Sequence, residues 1–199
     1  MRRLGVFLFG PLKWADVEFG DLTVLVGPQA SGKSLFVQLY KAVQDAAAIR
    51  ADLKNYGFDW LRGKEPVRDY CSIYFGGGLE GLVRSGQNEG AQGRTLLQRD
   101  GKSINFEKIV RLGGNAAQGE SVFLIPAQRV LVLQDGWPKP FMGYSTGDPY
   151  CLRRFSDALR QLIEQGFGPE EAIFPQPKRL KAELRNSIEE TIYIGSKLK

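Results

Sequence analysis

The sequence predicts an α/β fold in which a phosphate-binding loop joins a strand to a helix. Three observations predict it: residues 27–34 match the pattern G-x-x-x-x-G-K-[ST], a β-branched apolar run precedes them, and apolar residues at helical spacing follow them. Around this P-loop core we expect an N-terminal antiparallel β subdomain, an insertion that contains a β-hairpin, and C-terminal helices.

Short strands are predicted before the loop. Residues 3–9 and 13–19 are rich in apolar and aromatic side chains, and Gly10 and Pro11 between them mark a turn. In the second run apolar residues occupy every other position, which is typical of a strand with one buried face. Residues 22–26, Leu-Thr-Val-Leu-Val, are predicted to form the buried strand that enters the loop.

The residue types of the loop are set by chemistry. Glycine lets the backbone curl so that successive N–H groups face an anion, and Lys33, the candidate catalytic residue, is expected to reach the β- and γ-phosphate oxygens. The Ser34 hydroxyl is placed to bind Mg²⁺, so the motif predicts ATP and Mg²⁺ as ligands. A glycine-rich turn in an unrelated α/β unit is the alternative. The predicted nucleotide-binding residues are Gly27, Pro28, Gln29, Ala30, Ser31, Gly32, Lys33 and Ser34.

A helix is predicted from Lys33 to about Tyr56, ending near Gly57. It would aim its positive N-terminal end at the bound anion. Its buried face is formed by residues spaced three and four apart. These residues are Leu35, Leu39, Ala42, Ala46, Ile49 and Leu53.

Residues 58–120 are predicted to be an insertion. Residues 70–75 are aromatic and indicate a short strand, and residues 76–93 are dominated by Gly, Ser, Gln and Asn, which is typical of a mobile loop. Asp100 and Gly101 lie between two further runs and predict a two-residue hairpin turn.

The last part of the chain, residues 121–199, is predicted to be a strand followed by helices. Asp148 and Pro149 indicate the start of one helix, and a second is expected after Pro177. The second helix carries the densest basic patch, which fits a solvated helix face or a DNA contact. The basic residues are Lys178, Arg179, Lys181 and Arg185.

Composition excludes some functions. The chain has no histidine, which excludes His-based acid–base catalysis and His-ligated zinc within it. Cys71 and Cys151 lie far apart without metal-type spacing, so reduced thiols in a cytoplasmic protein are expected. No apolar run approaches the length of a membrane span, and the net charge of +5 permits DNA contact without requiring it.

Hydrolysis of ATP needs an acidic residue at the end of a second strand, to hold Mg²⁺ and to orient the attacking water. Asp135, after the apolar residues 130–133, is the candidate metal ligand, although Gly136 follows it and a turn is the alternative. Residues 144–148, Tyr-Ser-Thr-Gly-Asp, are only loosely similar to a Ser-Gly-Gly signature loop, and an approach to the helix cap explains them better.

The N-terminal pattern resembles the ABC-type chromosomal ATPases, the group that contains SMC, RecF and OLD-like proteins and many bacterial "AAA family ATPases". The similar segments are residues 8–12, 17–20 and 22–27 with the loop, and, more weakly, residues 123–129, Phe-Leu-Ile-Pro-Ala-Gln-Arg. The resemblance implies that residues 1–57 are the start of an ATPase head. It also implies a homodimer with ATP sandwiched between two heads, and action on DNA in repair or phage defence.

The resemblance also implies that the head is incomplete. Family members carry the signature loop, the acidic Mg²⁺ strand and a switch histidine in a C-terminal half beyond the matched region. Three functions stay open: an ATPase whose full-length form hydrolyses ATP, a nucleotide- or partner-binding module without hydrolysis, and a small-molecule or nucleotide kinase. The paired strands before the loop and the large insertion argue against the kinase.

Overall fold

The computed structural model describes residues 1–84, 93–111, 119–127, 132–134 and 137–165. It is a mixed α/β structure with antiparallel sheets. The chain divides into two compact units, Met1–Arg160 and Gln161–Lys199, and of the second only residues 161–165 are described. None of the described helices is long and apolar enough to cross a membrane.

A four-stranded antiparallel sheet organises the first unit. Its strand order is β2-β1-β3-β4, so β1 lies between β2 and β3. The hairpin turn predicted at Asp100 and Gly101 is confirmed: both residues have positive φ angles, 51° and 77°, which suit a tight two-residue connection. The four strands are β1 (Arg3–Phe9), β2 (Leu12–Glu18), β3 (Leu96–Arg99) and β4 (Lys102–Ile104). A second sheet pairs β5 (Leu133–Gln134) with β6 (Trp137–Pro138).

Five helices are described. They are α1 (Lys33–Gln44), α2 (Ala46–Asn55), α3 (Pro66–Phe75), α4 (Phe106–Arg111) and α5 (Tyr150–Gln165). The helix predicted after Asp148 and Pro149 is therefore confirmed as α5. Gly166, its predicted end, and the helix predicted after Pro177 with its basic patch lie outside the described residues.

The core is formed by one face of the sheet and the helices packed on it. Leu4, Val6 and Phe9 of β1 are buried, and aromatic rings from α3, α4 and α5 surround them. Phe9 packs against Phe75 and Phe106 at ring-centroid distances of 5.4 and 6.0 Å. Tyr74 packs against Tyr150 at 5.6 Å. These contacts connect the end of β1 to helices far apart in the sequence.

The strand predicted at residues 70–75 is wrong, because these residues belong to α3. Pro66 is suited to the first turn of a helix, and Gly76, with φ of 113°, follows its last residue. The aromatic residues that suggested a strand are spaced for helical packing: Tyr70 and Tyr74 stack at 5.5 Å, four residues apart.

The single helix predicted from Lys33 to Tyr56 is also wrong in part. It is divided into α1 and α2 at Asp45, whose φ and ψ of −109° and 22° are not helical. The carboxylate of Asp45 accepts hydrogen bonds from the distant residues Ser121 and Val122, so its conformation depends on tertiary contacts.

The buried strand predicted at residues 22–26 is not formed. The segment has no β-pairing partner among the described residues, and Leu22, Val24 and Val26 are 85%, 70% and 90% exposed. The described strands are antiparallel, so the sheet around this segment that a P-loop core requires is not seen in the described part of the chain.

Candidate functional site

The predicted phosphate-binding loop is an exposed turn between residues 22–26 and α1. Ala30 and Gly32 have left-handed backbone conformations, with φ of 60° and 90°, while Ser31 between them does not. Such alternation directs successive N–H groups toward one side of the chain, which is the geometry of an anion-binding nest. Gly32 also lacks room for a side chain, because a Cβ there would lie 2.8 Å from Leu12 Cδ2.

The ammonium group of Lys33 lies across this loop. Its Nζ donates hydrogen bonds to the carbonyl oxygens of Gly27 at 2.8 Å and Pro28 at 2.5 Å, and to the Ser31 hydroxyl at 3.2 Å. No carboxylate pairs with Lys33 among the described residues. The positive charge is therefore solvated and positioned but not neutralised, which leaves it available to an anion.

The N-terminus of α1 adds backbone donors to the same place. The first hydrogen bond of the helix runs from the Phe36 N–H to the Gly32 carbonyl at 2.8 Å. The helix has no side-chain cap and no acidic residue in its first turn. The N–H groups of residues 33–35 have no helical acceptor, and the partial positive charge of the helix end is not compensated by a local acid.

The predicted Mg²⁺ site is described only in part. Ser34 lies in the first turn of α1 and is exposed, so its hydroxyl is accessible to a metal ion. Asp135, the predicted acidic ligand, lies outside the described residues. In the described ranges no group of three acidic or cysteine side chains forms a preassembled metal site. Carboxylate and phosphate oxygens together with a hydroxyl are suitable ligands for Mg²⁺.

A buried ionic cluster that the sequence did not reveal lies at the other end of α1. Lys41 is 2% exposed, and its Nζ lies 3.3 Å from Asp45 Oδ2 and 3.1 Å from Glu120 Oε2. It also donates to the Val122 carbonyl at 2.6 Å. Asp45 in turn accepts from the N–H and hydroxyl groups of Ser121. The four-residue spacing of Lys41 and Asp45 on a predicted helix indicates that the two can pair. It does not indicate their other partners, which are more than 70 residues away in the sequence.

The cluster continues to α5. The hydroxyl of Tyr150 is within hydrogen-bond distance of both Asp52 and Glu120, and Arg154 Nε lies 3.3 Å from Glu120 Oε2. Burial raises the pKa of Asp52 above its usual value, against the opposing effects of Tyr150 and Arg154. Burial also raises the pKa of Tyr150. Every charged group in this cluster has an opposite charge or hydrogen-bond partner, so the cluster holds helices together rather than binding an external ion.

The remaining predicted features have structural roles where they are described. In residues 144–148 the N–H and hydroxyl of Ser145 both donate to Asp148 Oδ2 at 2.9 Å, so this segment forms the approach to α5. Of residues 123–129, only 123–127 are described; they follow the turn held by Asp45. Cys71 and Cys151 are buried and free, and burial raises their pKa values to about 12 and about 11, so neither is a nucleophile at neutral pH.

Comparison of the chain with protein-family models, curated proteins and solved structures gives no match.

Proposed function

We propose that the protein binds Mg-ATP at residues 27–34. The observation that carries the proposal is the position of Lys33: its ammonium lies across a loop with alternating backbone conformations, beside an uncapped helix N-terminus, and has no carboxylate partner among the described residues. A polyphosphate would supply the missing negative charge and accept hydrogen bonds from the backbone N–H groups. Ser34 would supply the hydroxyl ligand of Mg²⁺.

We further propose that this site belongs to an ABC-type, SMC-like ATPase whose full-length form hydrolyses ATP. The support is the sequence pattern around the loop, residues 8–12 and 17–20, which corresponds in the structure to the β1–β2 hairpin. An ATP-dependent homodimer and action on DNA follow from the same resemblance and have the same support. In this proposal Lys33 stabilises the charge that develops on the transferred phosphoryl group, and Asp135 is the candidate Mg²⁺ ligand.

A binding module without hydrolysis is the second candidate. The exposed, unpaired residues 22–26 favour it, because the described part of the chain shows no strand next to the loop that could carry the acidic residue. Measurement of phosphate release by the purified chain tests the second candidate. Turnover that Asp135→Ala abolishes would exclude the binding module.

The nucleotide site itself is tested by a titration with a fluorescent ATP analogue in the presence of Mg²⁺. Lys33→Ala is expected to weaken binding about tenfold or more, since it removes a charge-assisted contact to phosphate. Lys54→Ala is the matched control. Lys54 is exposed on α2, and its substitution removes the same charge at a position away from the loop. Equal affinities of wild type and Lys33→Ala would refute the site.

A further inference from the structure

A cavity of about 660 Å³ lies between the junction of α1 with α2 and the hairpin formed by β3 and β4. Ala46 and Ala47, at the start of α2, form one wall, and their small side chains leave the space open. Ile104 and Ile109 form part of the opposite wall. The volume is within the range of small-molecule sites, roughly 300–1,000 Å³.

The charged residues that line this cavity are all basic. They are Arg94, Arg99 and Lys108, and no carboxylate residue is among the described residues that line the cavity. Arg99 is positioned by Gln44, whose Oε1 accepts from its guanidinium at 3.4 Å, and its nearest carboxylate is at 4.0 Å. Neither Arg94 nor Lys108 has an ion pair within the described ranges. The cavity thus combines cations with apolar walls.

The cavity is separate from the phosphate-binding loop. Lys33 is the first residue of α1 and Gln44, which lines the cavity, is the last. At 1.5 Å per residue the two ends of this 12-residue helix are roughly 16 Å apart. A ligand in the cavity would therefore not share the phosphate contacts of the loop, and the two sites can be tested independently.

We propose that this cavity binds a nucleoside monophosphate, either free or as one unit of a single nucleic-acid strand. Arginine guanidinium groups match phosphate geometry with paired hydrogen bonds, and Lys108 adds a point charge. The apolar surface of Ala46, Ala47 and Ile104 accommodates a flat base. If only an inorganic anion were bound, this apolar surface would stay in contact with water. The hydroxyl of Ser103 also lines the cavity and can contact the polar edge of the base.

The test measures binding of thymidine monophosphate by calorimetry and of a fluorescent ten-residue thymidine strand by anisotropy. Both titrations use the full chain with Lys33→Ala, so that failure of the loop site does not affect the result. Arg99→Gln combined with Lys108→Gln is expected to weaken binding about tenfold or more, as expected for loss of charged contacts. Lys108→Gln alone, at an exposed position, is the second variant and is expected to cause a smaller loss.

The control is Arg62→Gln combined with Lys64→Gln, which removes the same net charge from an exposed segment away from the cavity. Binding of the monophosphate that is lost only in the cavity variants supports the proposal with a free nucleotide as ligand. Binding of the strand alone, with the same pattern, supports it with nucleic acid as the source. No binding of either probe, or equal loss in the control, overturns it.

Discussion

Two lysines of α1 occupy opposite electrostatic environments. Lys33 begins the helix at an exposed loop and, within the described part of the chain, donates only to carbonyl and hydroxyl oxygens, whereas Lys41 is buried between Asp45 and Glu120. The two residues are eight positions apart on one helix and have the same chemistry. Their difference lies entirely in what surrounds them.

The comparison shows how a structural charge differs from one available to a ligand. The charge of Lys41 is compensated inside the protein, so its role is to hold α1 against residues 120–122. The charge of Lys33 is positioned but not compensated, so its removal should affect binding more than folding.

The largest effect is expected from Lys41→Met. It leaves Asp45 without its buried cation, while Glu120 keeps Arg154, and breaking a buried ion pair typically costs about 3–5 kcal/mol of unfolding free energy. The same change at Lys33 should cost less than about 0.5 kcal/mol, because its partners are exposed and can be hydrated. Urea unfolding followed by circular dichroism measures both.

A double substitution tests whether the ion pair between Lys41 and Asp45 causes this loss of stability. Asp45→Asn added to Lys41→Met should cost less than the sum of the two single changes, with a coupling of about 1–3 kcal/mol for residues in one network. Additive effects would show that the ion pair does not stabilise the fold. Equal destabilisation by the two lysine variants would remove the distinction between the two ends of α1.

A smaller, pH-dependent effect is expected from Asp52→Asn. Burial raises the pKa of Asp52, so the folded protein favours its neutral form, and wild type loses this contribution as pH rises through that pKa. The asparagine variant does not titrate, so its unfolding free energy should rise relative to wild type between about pH 4 and about pH 7. The change should be below about 1 kcal/mol, because Asp52 keeps 26% of its side chain exposed.

Asp16→Asn is the control for this experiment, because its unfolding free energy relative to wild type is expected to change with pH in the opposite direction. The hydrogen bond from Arg3 lowers the pKa of Asp16, so its charged form is favoured in the folded state. Asp16→Asn should therefore become less stable relative to wild type as pH rises toward about 4, the ordinary pKa of aspartate, and should change little above it. The same trend for both variants would show that the local environments of these carboxyl groups do not determine the response.

Local signals were sufficient to predict part of the fold. The turns at Gly10 and at Asp100 and Gly101, and the start of α5 after Pro149, depend on residues within a few positions. The break at Asp45 could not be predicted this way, because it depends on contacts with Ser121 and Val122. The helix at residues 70–75 had local signals, Pro66 and the four-residue spacing of Tyr70 and Tyr74, but aromatic composition alone favoured a strand.

The charged groups discussed as functional or structural sites likewise include some that the sequence predicts and some that it does not. The spacing of Gly27, Gly32, Lys33 and Ser34 predicts a phosphate-binding loop, because backbone geometry and phosphate chemistry require those residue types, and the binding of phosphate stays a prediction. The cluster around Lys41 and the basic cavity were not predicted, because their members come from segments far apart in the sequence. Residues 22–26 have the composition of a buried strand, but composition does not specify a pairing partner.

The most direct test of the central claim is an amide NMR titration with Mg²⁺ and a non-hydrolysable ATP analogue. Binding at the loop should shift the N–H signals of residues 29–35 in a saturable, Mg²⁺-dependent way, and Lys33→Ala should abolish the shifts at the same ligand concentration. If these signals do not change at saturating analogue, the loop is not a nucleotide site.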